Sequence, residues 1–243
     1  MSVFTIADLH LSTLATTNKS MEVFGRRWED YTARLESNWR KIITENDTVI
    51  IPGDISWAIS LDEAASDLTF LASLPGRKIL GKGNHDFWWT SMKKHGDFFE
   101  KHGISGIDFL YNNAHELDGF IVAGTRGWFF DEDMMKAQRG ADFDKIVNRE
   151  ALRLEASLIE AKRLSDASGG KETVVFMHFP PYRAGRAVDA FIDLLQKYGV
   201  SRVYYGHIHG AYSDPPSEEY LGIKFTLVSA DYLSFTPKIV PEK

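Results

Sequence analysis

The sequence contains no cysteine. That absence rules out a disulfide frame, a thiolate nucleophile and a Cys-based zinc site, so any metal must be held by carboxylate, amide and imidazole. No apolar run approaches the ~18 residues of a membrane span. No basic N-terminal segment leads into an apolar core, so no signal peptide is read and a cytoplasmic location is the default expectation. Positive charge is in deficit, with 28 Lys and Arg against 34 Asp and Glu, a net charge of −6. Such a balance offers no broad surface for nucleic acid. What remains is ordinary for a soluble globular protein: 44% hydrophobic and 26% charged over 243 residues, enough for one substantial core.

Against these absences stands one recurrence. Five apolar stretches each run into a residue that can hold a metal. Val3-Phe4-Thr5-Ile6-Ala7 ends in Asp8-Leu9-His10, and Thr48-Val49-Ile50-Ile51-Pro52 ends in Gly53-Asp54. Arg77 to Lys82 ends in Gly83-Asn84-His85-Asp86; Thr173 to Met177 ends in His178; Val203-Tyr204-Tyr205 ends in Gly206-His207-Ile208-His209. Short β-branched and aromatic runs of this kind predict buried strands. In open α/β sheets ligands gather beyond the carboxyl ends of such strands. If the strands are neighbours, one sheet edge carries three Asp, one Asn and five His. These strand ends span residues 8 to 209, which argues for a single domain over 1-243.

Helical periodicity fills the gaps. Met21, Phe24, Trp28, Tyr31, Leu35, Trp39, Ile42 and Ile43 recur at helical spacing, predicting a helix from after Gly25 to near Asn46-Asp47. Ser60 with Glu63 forms a capping-box pattern that opens a second helix, stopped before Pro75-Gly76. A third follows Asp86 and ends at Gly103, a fourth covers Asp142 to Ser165, and a fifth covers Ala187 to Tyr198 with Gly199 as cap. Further strands are expected at Phe120 to Ala123, Phe225 to Val228 and Ile239-Val240. Alternation of the two element types gives an α/β fold with helices outside the sheet layers.

Asp8 and His10 are two apart, as are His207 and His209. On extended backbone each pair points to one side and can address one locus. Singly these pieces are common, since a lone Gly-Asp is usually a turn and a lone His usually a surface or core residue. Jointly they are specific. The order Asp-x-His, Gly-Asp, Gly-Asn-His-Asp, His, Gly-His-x-His resembles the calcineurin-like metallophosphoesterase superfamily. That resemblance implies a four-layer α-β-β-α sandwich with two metal ions between strand ends. Carried over by position, Asp8, His10 and His209 hold the first metal, Asn84, His178 and His207 the second, and Asp54 bridges them. It further implies hydrolysis of a phosphoric mono- or diester by a metal-bridging hydroxide, with His85 as proton donor. Donors of nitrogen and oxygen without sulfur suit Mn, Fe, Zn or Co. Asp86 would either orient the His85 imidazole or cap a helix.

Departures narrow the resemblance. Protein Ser/Thr phosphatases of the superfamily continue the second motif to Gly-Asp-x-Val-Asp-Arg. Here it reads Gly53-Asp54-Ile55-Ser56-Trp57-Ala58, without the arginine. The stretch 11-45 exceeds a simple crossover and suggests a helical cap. Aromatics crowd the motifs: Trp57, Phe87, Trp88, Trp89, Trp128, Phe129, Phe130 and Tyr182 form either a stacking platform for a flat group or core beneath the site. Arg126 and Arg183 follow strands and could fork onto the phosphate of a small-molecule phosphoester; surface ion pairing is the alternative. His95, His102 and His115 are expected to be solvated, and the charge-dense helix from Arg149 to Arg163 to be an exposed face. Two other readings are weaker. An HD-type phosphohydrolase would carry His85-Asp86 on a helix, and a scaffold that lost its chemistry should lack ligands.

Overall fold

The structure is a computed structural model and describes residues 1–13, 21–128 and 141–242; Phe129 and Phe130 lie outside them. Two sheets stack face to face, with helices on both outer faces. The first sheet has the order β13-β1-β2-β3-β4, from β1 (Val3–Thr5), β2 (Thr48–Pro52), β3 (Arg77–Gly81), β4 (Ile107–Phe109) and β13 (Lys238–Ile239). Its β1 to β4 run parallel, and β13 pairs antiparallel at the edge. The second has the order β11-β12-β10-β7-β6-β5, from β5 (Ala114–Glu116), β6 (Ile121–Thr125), β7 (Thr173–Met177), β10 (Arg202–Tyr205), β11 (Ser217–Tyr220) and β12 (Ile223–Leu227). A hairpin of β8 (Tyr182–Arg183) and β9 (Arg186–Ala187) stands apart.

The layers follow from which faces are apolar. Ile50 and Ile79 of the first sheet meet Val122, Val174, Phe176 and Tyr204 of the second in an inter-sheet core. The opposite face of the first sheet, with Val49, Ile51 and Leu80, packs against α1 (Tyr31–Ile42), α2 (Ala65–Ser73) and α3 (Met92–His102). Val175, Met177 and Val203 of the second sheet pack against α4 (Ala141–Ala167) and α5 (Asp189–Lys197). Strands buried on both faces read as continuous apolar runs, which is why all five were visible in the sequence. The five ligand-bearing strands do not share one sheet edge, however. β1, β2 and β3 belong to one sheet and β7 and β10 to the other, and the site forms where the two carboxyl-end rims meet.

Helix boundaries differ where polar groups have another use. The first expected helix is split: Met21–Phe24 and Arg26–Trp28 form single 3-10 turns around Gly25, whose φ of 104 cannot continue a helix, and α1 begins only at Tyr31. Of the Ser60–Glu63 box, Glu63 N donates to Ser60 Oγ, while the Glu63 carboxylate accepts from Ile59 N instead of Ser60 N, and both bonds lie on a turn that precedes α2. Helix α3 starts at Ser91, whose hydroxyl accepts the Lys94 N–H, because the Asp86 carboxylate is committed elsewhere. It ends at Gly103 in the left-handed conformation. The polar strands β5 and β11 carried no apolar signal and pair with β6 and β12, while β4, Ile-Asp-Phe, is too short to show one and pairs with β3.

Candidate metal centre

The first motif loop rides on the second. Asp8 N donates to Gly53 O at 3.0 Å, and His10 N to Asp54 O at 2.9 Å. Four ligand candidates sit in the left-handed region: Asp8, His10, Asp54 and His207, with φ of 59, 45, 51 and 69. For non-glycine residues that conformation costs about 1–3 kcal/mol each, and its concentration at one rim marks a functional site. The preceding glycines are there for closeness. A Cβ on Gly83 would collide with the Asp54 carboxylate, and one on Gly206 would lie 2.5 Å from Asp8 Oδ2.

Two groups of donors result. Atoms of Asp8, His10 and His209 lie within 4.8 Å of one another, as do atoms of Asp8, Asp54 and His178. Asp54 Oδ2 is 3.7 Å from His10 Nε2 and 3.6 Å from His178 Nε2, so its carboxylate stands between the groups. Asn84 Oδ1 lies 2.6 Å from His178 Nε2 and 3.1 Å from His207 Nδ1, joining the amide to the second group. All seven residues marked in the sequence as metal ligands therefore meet at one rim.

The electrostatics suit a cation. Burial pushes the Asp8 carboxyl up to about 6 and the Asp54 carboxyl upward as well, with Asp86 and Asp8 adding repulsion at Asp54. Burial, with the neighbouring imidazoles, pulls His10 and His178 well below the usual histidine range, so both are neutral with lone pairs available. Among the described residues, the buried Nδ1 atoms of His10 and His178 have no hydrogen-bond partner. His10 Nε2 and His209 Nε2 face each other at 3.2 Å, a pairing of two nitrogens that a shared cation would satisfy. Acidic oxygens pushed towards protonation beside imidazoles held neutral form a donor set that fits metal ions.

One functional carboxylate escaped the sequence reading. Asp231, fully buried, accepts from His209 Nδ1 at 3.0 Å, from Gly210 N and from Tyr212 OH at 3.1 Å. It fixes the ring so that Nε2 faces the site, and its negative charge raises the His209 pKa against the opposing effect of burial. The available signal was the apolar run Phe225 to Val228, a sixth strand followed three residues on by a ligand-type residue.

Other placements correct expectations. Asp86 neither orients His85 nor caps a helix. Its carboxylate accepts from the N–H groups of Gly83, Asp54, Ile55 and Ser56 and from the Trp88 indole. It locks the second motif to the third. Trp88 is buried against Trp89 and His95, away from any groove. His95 is fully buried, its Nε2 accepting the Thr90 N–H, and burial lowers its pKa to about 4. His115 is half-buried on the Phe109 carbonyl rather than solvated. The charged face of α4 hides Glu150, which is fully buried and paired with Arg126 and Arg153. Arg183 is paired with Asp214.

Beside the first donor group opens a cavity of about 350 Å³ lined by His10, Met21, Phe24, Trp28, Trp57, His85, His209 and Tyr212. The His85 ring lies 4.4 Å from Trp57 and 5.6 Å from His10, and its backbone N–H donates to Asp54 Oδ1 at 2.8 Å. The profile of the calcineurin-like phosphoesterases matches residues 1–211. The chain belongs to that family. Metal-dependent phosphoester hydrolysis is what membership implies. No curated protein matches the sequence. Among solved structures, phosphopantetheinyl hydrolase (PptH) from Mycobacterium tuberculosis is similar at TM-score 0.55 and 17% identity, covering 100% of this chain and 96% of its own. The protein TT1561 of Thermus thermophilus is similar at TM-score 0.53 and 9% identity, covering 99% and 98%. At these identities the likeness is one of fold. Among the described residues, no helix is long and apolar enough to cross a membrane.

Proposed function

We propose that this phosphoesterase cleaves a small-molecule phosphoric mono- or diester at a centre of two metal ions. The observation that carries the proposal is the meeting of two three-donor groups, each within 4.8 Å, at the junction of the two sheets. Asp8, His10 and His209 would hold one ion and Asn84, His178 and His207 the other, with Asp54 between them. Mn, Fe, Zn and Co suit such donors. Bound ions of this kind supply a water of lowered pKa and offset the charge of the phosphate.

The chain's own residues do the rest. Asp231 fixes the His209 ring, and Asp86 holds the two glycine-rich loops in register. His85 stands on the cavity wall with its backbone tied to Asp54, placed to give a proton to the departing alkoxide. Trp57, stacked on His10 at 4.8 Å, walls that side of the cavity with apolar surface. A cavity of this size takes a bulky ester group beside His85 rather than a bare phosphate. The absence of an arginine after Asp54 speaks against phosphoprotein substrates.

The test is turnover of bis-aryl phosphate, aryl phosphate, cyclic nucleotides and phosphopeptides by chelator-treated protein before and after Mn²⁺ is restored. Hydrolysis of at least one small ester, dependent on the metal, is expected. Inactivity towards all of them with metal restored would contradict the proposal.

A further inference from the structure

A second, smaller cavity is lined by Lys82, Tyr111, Asn112, Thr125, Arg126, Glu150 and Arg153. Its position follows from the topology. Lys82 leaves the end of β3 two residues before Asn84, and Arg126 leaves the end of β6 beside β7. The Arg126 carbonyl accepts the Phe179 N–H at 2.9 Å, and the arginine's charge helps to depress the His178 pKa. The cavity therefore lies towards the second donor group and shares no lining residue with the aromatic cavity at the first.

Its charge is out of balance. Among the described residues that line it, Lys82, Arg126 and Arg153 bring three positive charges and Glu150 one negative, a surplus of two. Glu150 accepts from Arg126 Nη2 at 3.2 Å and from Arg153 Nη1 at 2.6 Å, while Thr125 Oγ1 donates to its other oxygen at 3.1 Å. That carboxylate is shared among three donors, and with Asp86 it offsets the Lys82 charge only from a distance. Among the described residues no carboxylate pairs with Lys82 in the way that Glu150 pairs with Arg126 and Arg153. Arg126 keeps a buried Nε–H with no acceptor among the described residues, on a side chain only 18% exposed. Crowding cations without counter-charge is costly, and an entering anion relieves it while supplying the missing acceptor. Asn112 and Thr125 add uncharged polar groups to the wall. The volume, about 40 Å³, holds roughly three waters, which is the size of one phosphate or carboxylate and far too small for a nucleoside.

We propose that this cavity binds a second anionic group, a phosphate or carboxylate, carried by the phosphoester substrate. The inference rests on the phosphoesterase reading for the word substrate, and on the cavity alone for the anion. A substrate then spans the rim, with a bulky apolar group beside Trp57 and His85, the scissile ester at the centre, and a compact anion against Lys82 and Arg126.

Two measurements test it. The first compares KM for two p-nitrophenyl phosphodiesters with Mn²⁺-loaded protein, one bearing a methyl second ester and one a 2-phosphoethyl second ester. The phosphoethyl ester should have a KM about tenfold lower at low salt, and Lys82→Gln should abolish most of that ratio. Equal KM values in the wild type, or an undiminished ratio in Lys82→Gln, overturn the proposal. The second measurement needs no turnover: calorimetric titration of chelator-treated protein with inorganic phosphate. One phosphate per chain should bind, about tenfold more weakly in Lys82→Gln, a variant whose far-UV spectrum and melting should match the wild type. No binding, or equal binding by the variant, overturns it. If phosphate binds but the two esters have equal KM, the cavity takes free anions only and the substrate assignment is wrong. If phosphate binds and neither ester is hydrolysed, the diesterase form of the phosphoesterase reading has failed and the anion site stands.

Discussion

At the scale of single residues, the centre is built from side chains denied their ordinary partners. His10 and His178 are neutral, buried and short of hydrogen bonds at Nδ1, and Asp8 and Asp54 are carboxylates in surroundings that oppose their charge. His85 differs, standing on the wall of the aromatic cavity instead of between the donors. His85→Ala should leave metal content unchanged while lowering the rate by roughly 10²–10⁴, the scale of lost acid–base catalysis. Loss of both ions in that variant would make His85 a ligand. Asp231 acts through His209. Asp231→Asn should weaken metal affinity by about 10–100-fold in competition with a chromophoric chelator, and unchanged affinity would remove it from the site.

At the scale of elements, the strands carry the site and their burial sets its cost. β3, which ends in the Gly83-Asn84-His85-Asp86 loop, buries Lys78 almost completely, its ammonium donating to the Leu74 carbonyl. Burial pulls the Lys78 pKa down to about 8. The folded state then binds fewer protons than the unfolded chain between about pH 8 and the solvated lysine value near 10.4. Stability from this group must therefore rise with pH across that window. In denaturant melts from pH 7.5 to 9.5, wild type should gain about 1–2 kcal/mol relative to Lys78→Met, which has nothing to titrate there. Parallel pH profiles would show that Lys78 keeps an ordinary pKa. Elements also divide what the sequence displayed from what it concealed. β2, β7 and β10 were legible because both their faces are buried and their composition is continuous and apolar. β11, Ser-Glu-Glu-Tyr at a sheet edge, had no such pattern, and the turns around Gly25 interrupted a periodicity that read as one helix.

At the scale of the whole molecule, two sheets meet so that loops far apart in the chain share one rim. The ligand-type residues could be picked out because each ends an apolar run, and that pattern is local. Their partition between two sheets could not be read, since register and sheet order depend on long-range pairing. The roles of Asp86 and Trp88 stayed hidden for a related reason: an aspartate beside a histidine looks like its partner until five donors from two loops are seen to claim it. Lys82 gave no sign in the sequence, because its significance lies in Arg126 and Arg153 arriving from the other sheet and from α4.

The most direct check is the metal bound per chain after dialysis against Mn²⁺, measured by mass spectrometry for wild type and Asp54→Ala. About two ions per chain in the wild type and fewer than one in the variant is the expected result. Equal metal content in the two proteins, or none in the wild type, would contradict a centre held between the sheets.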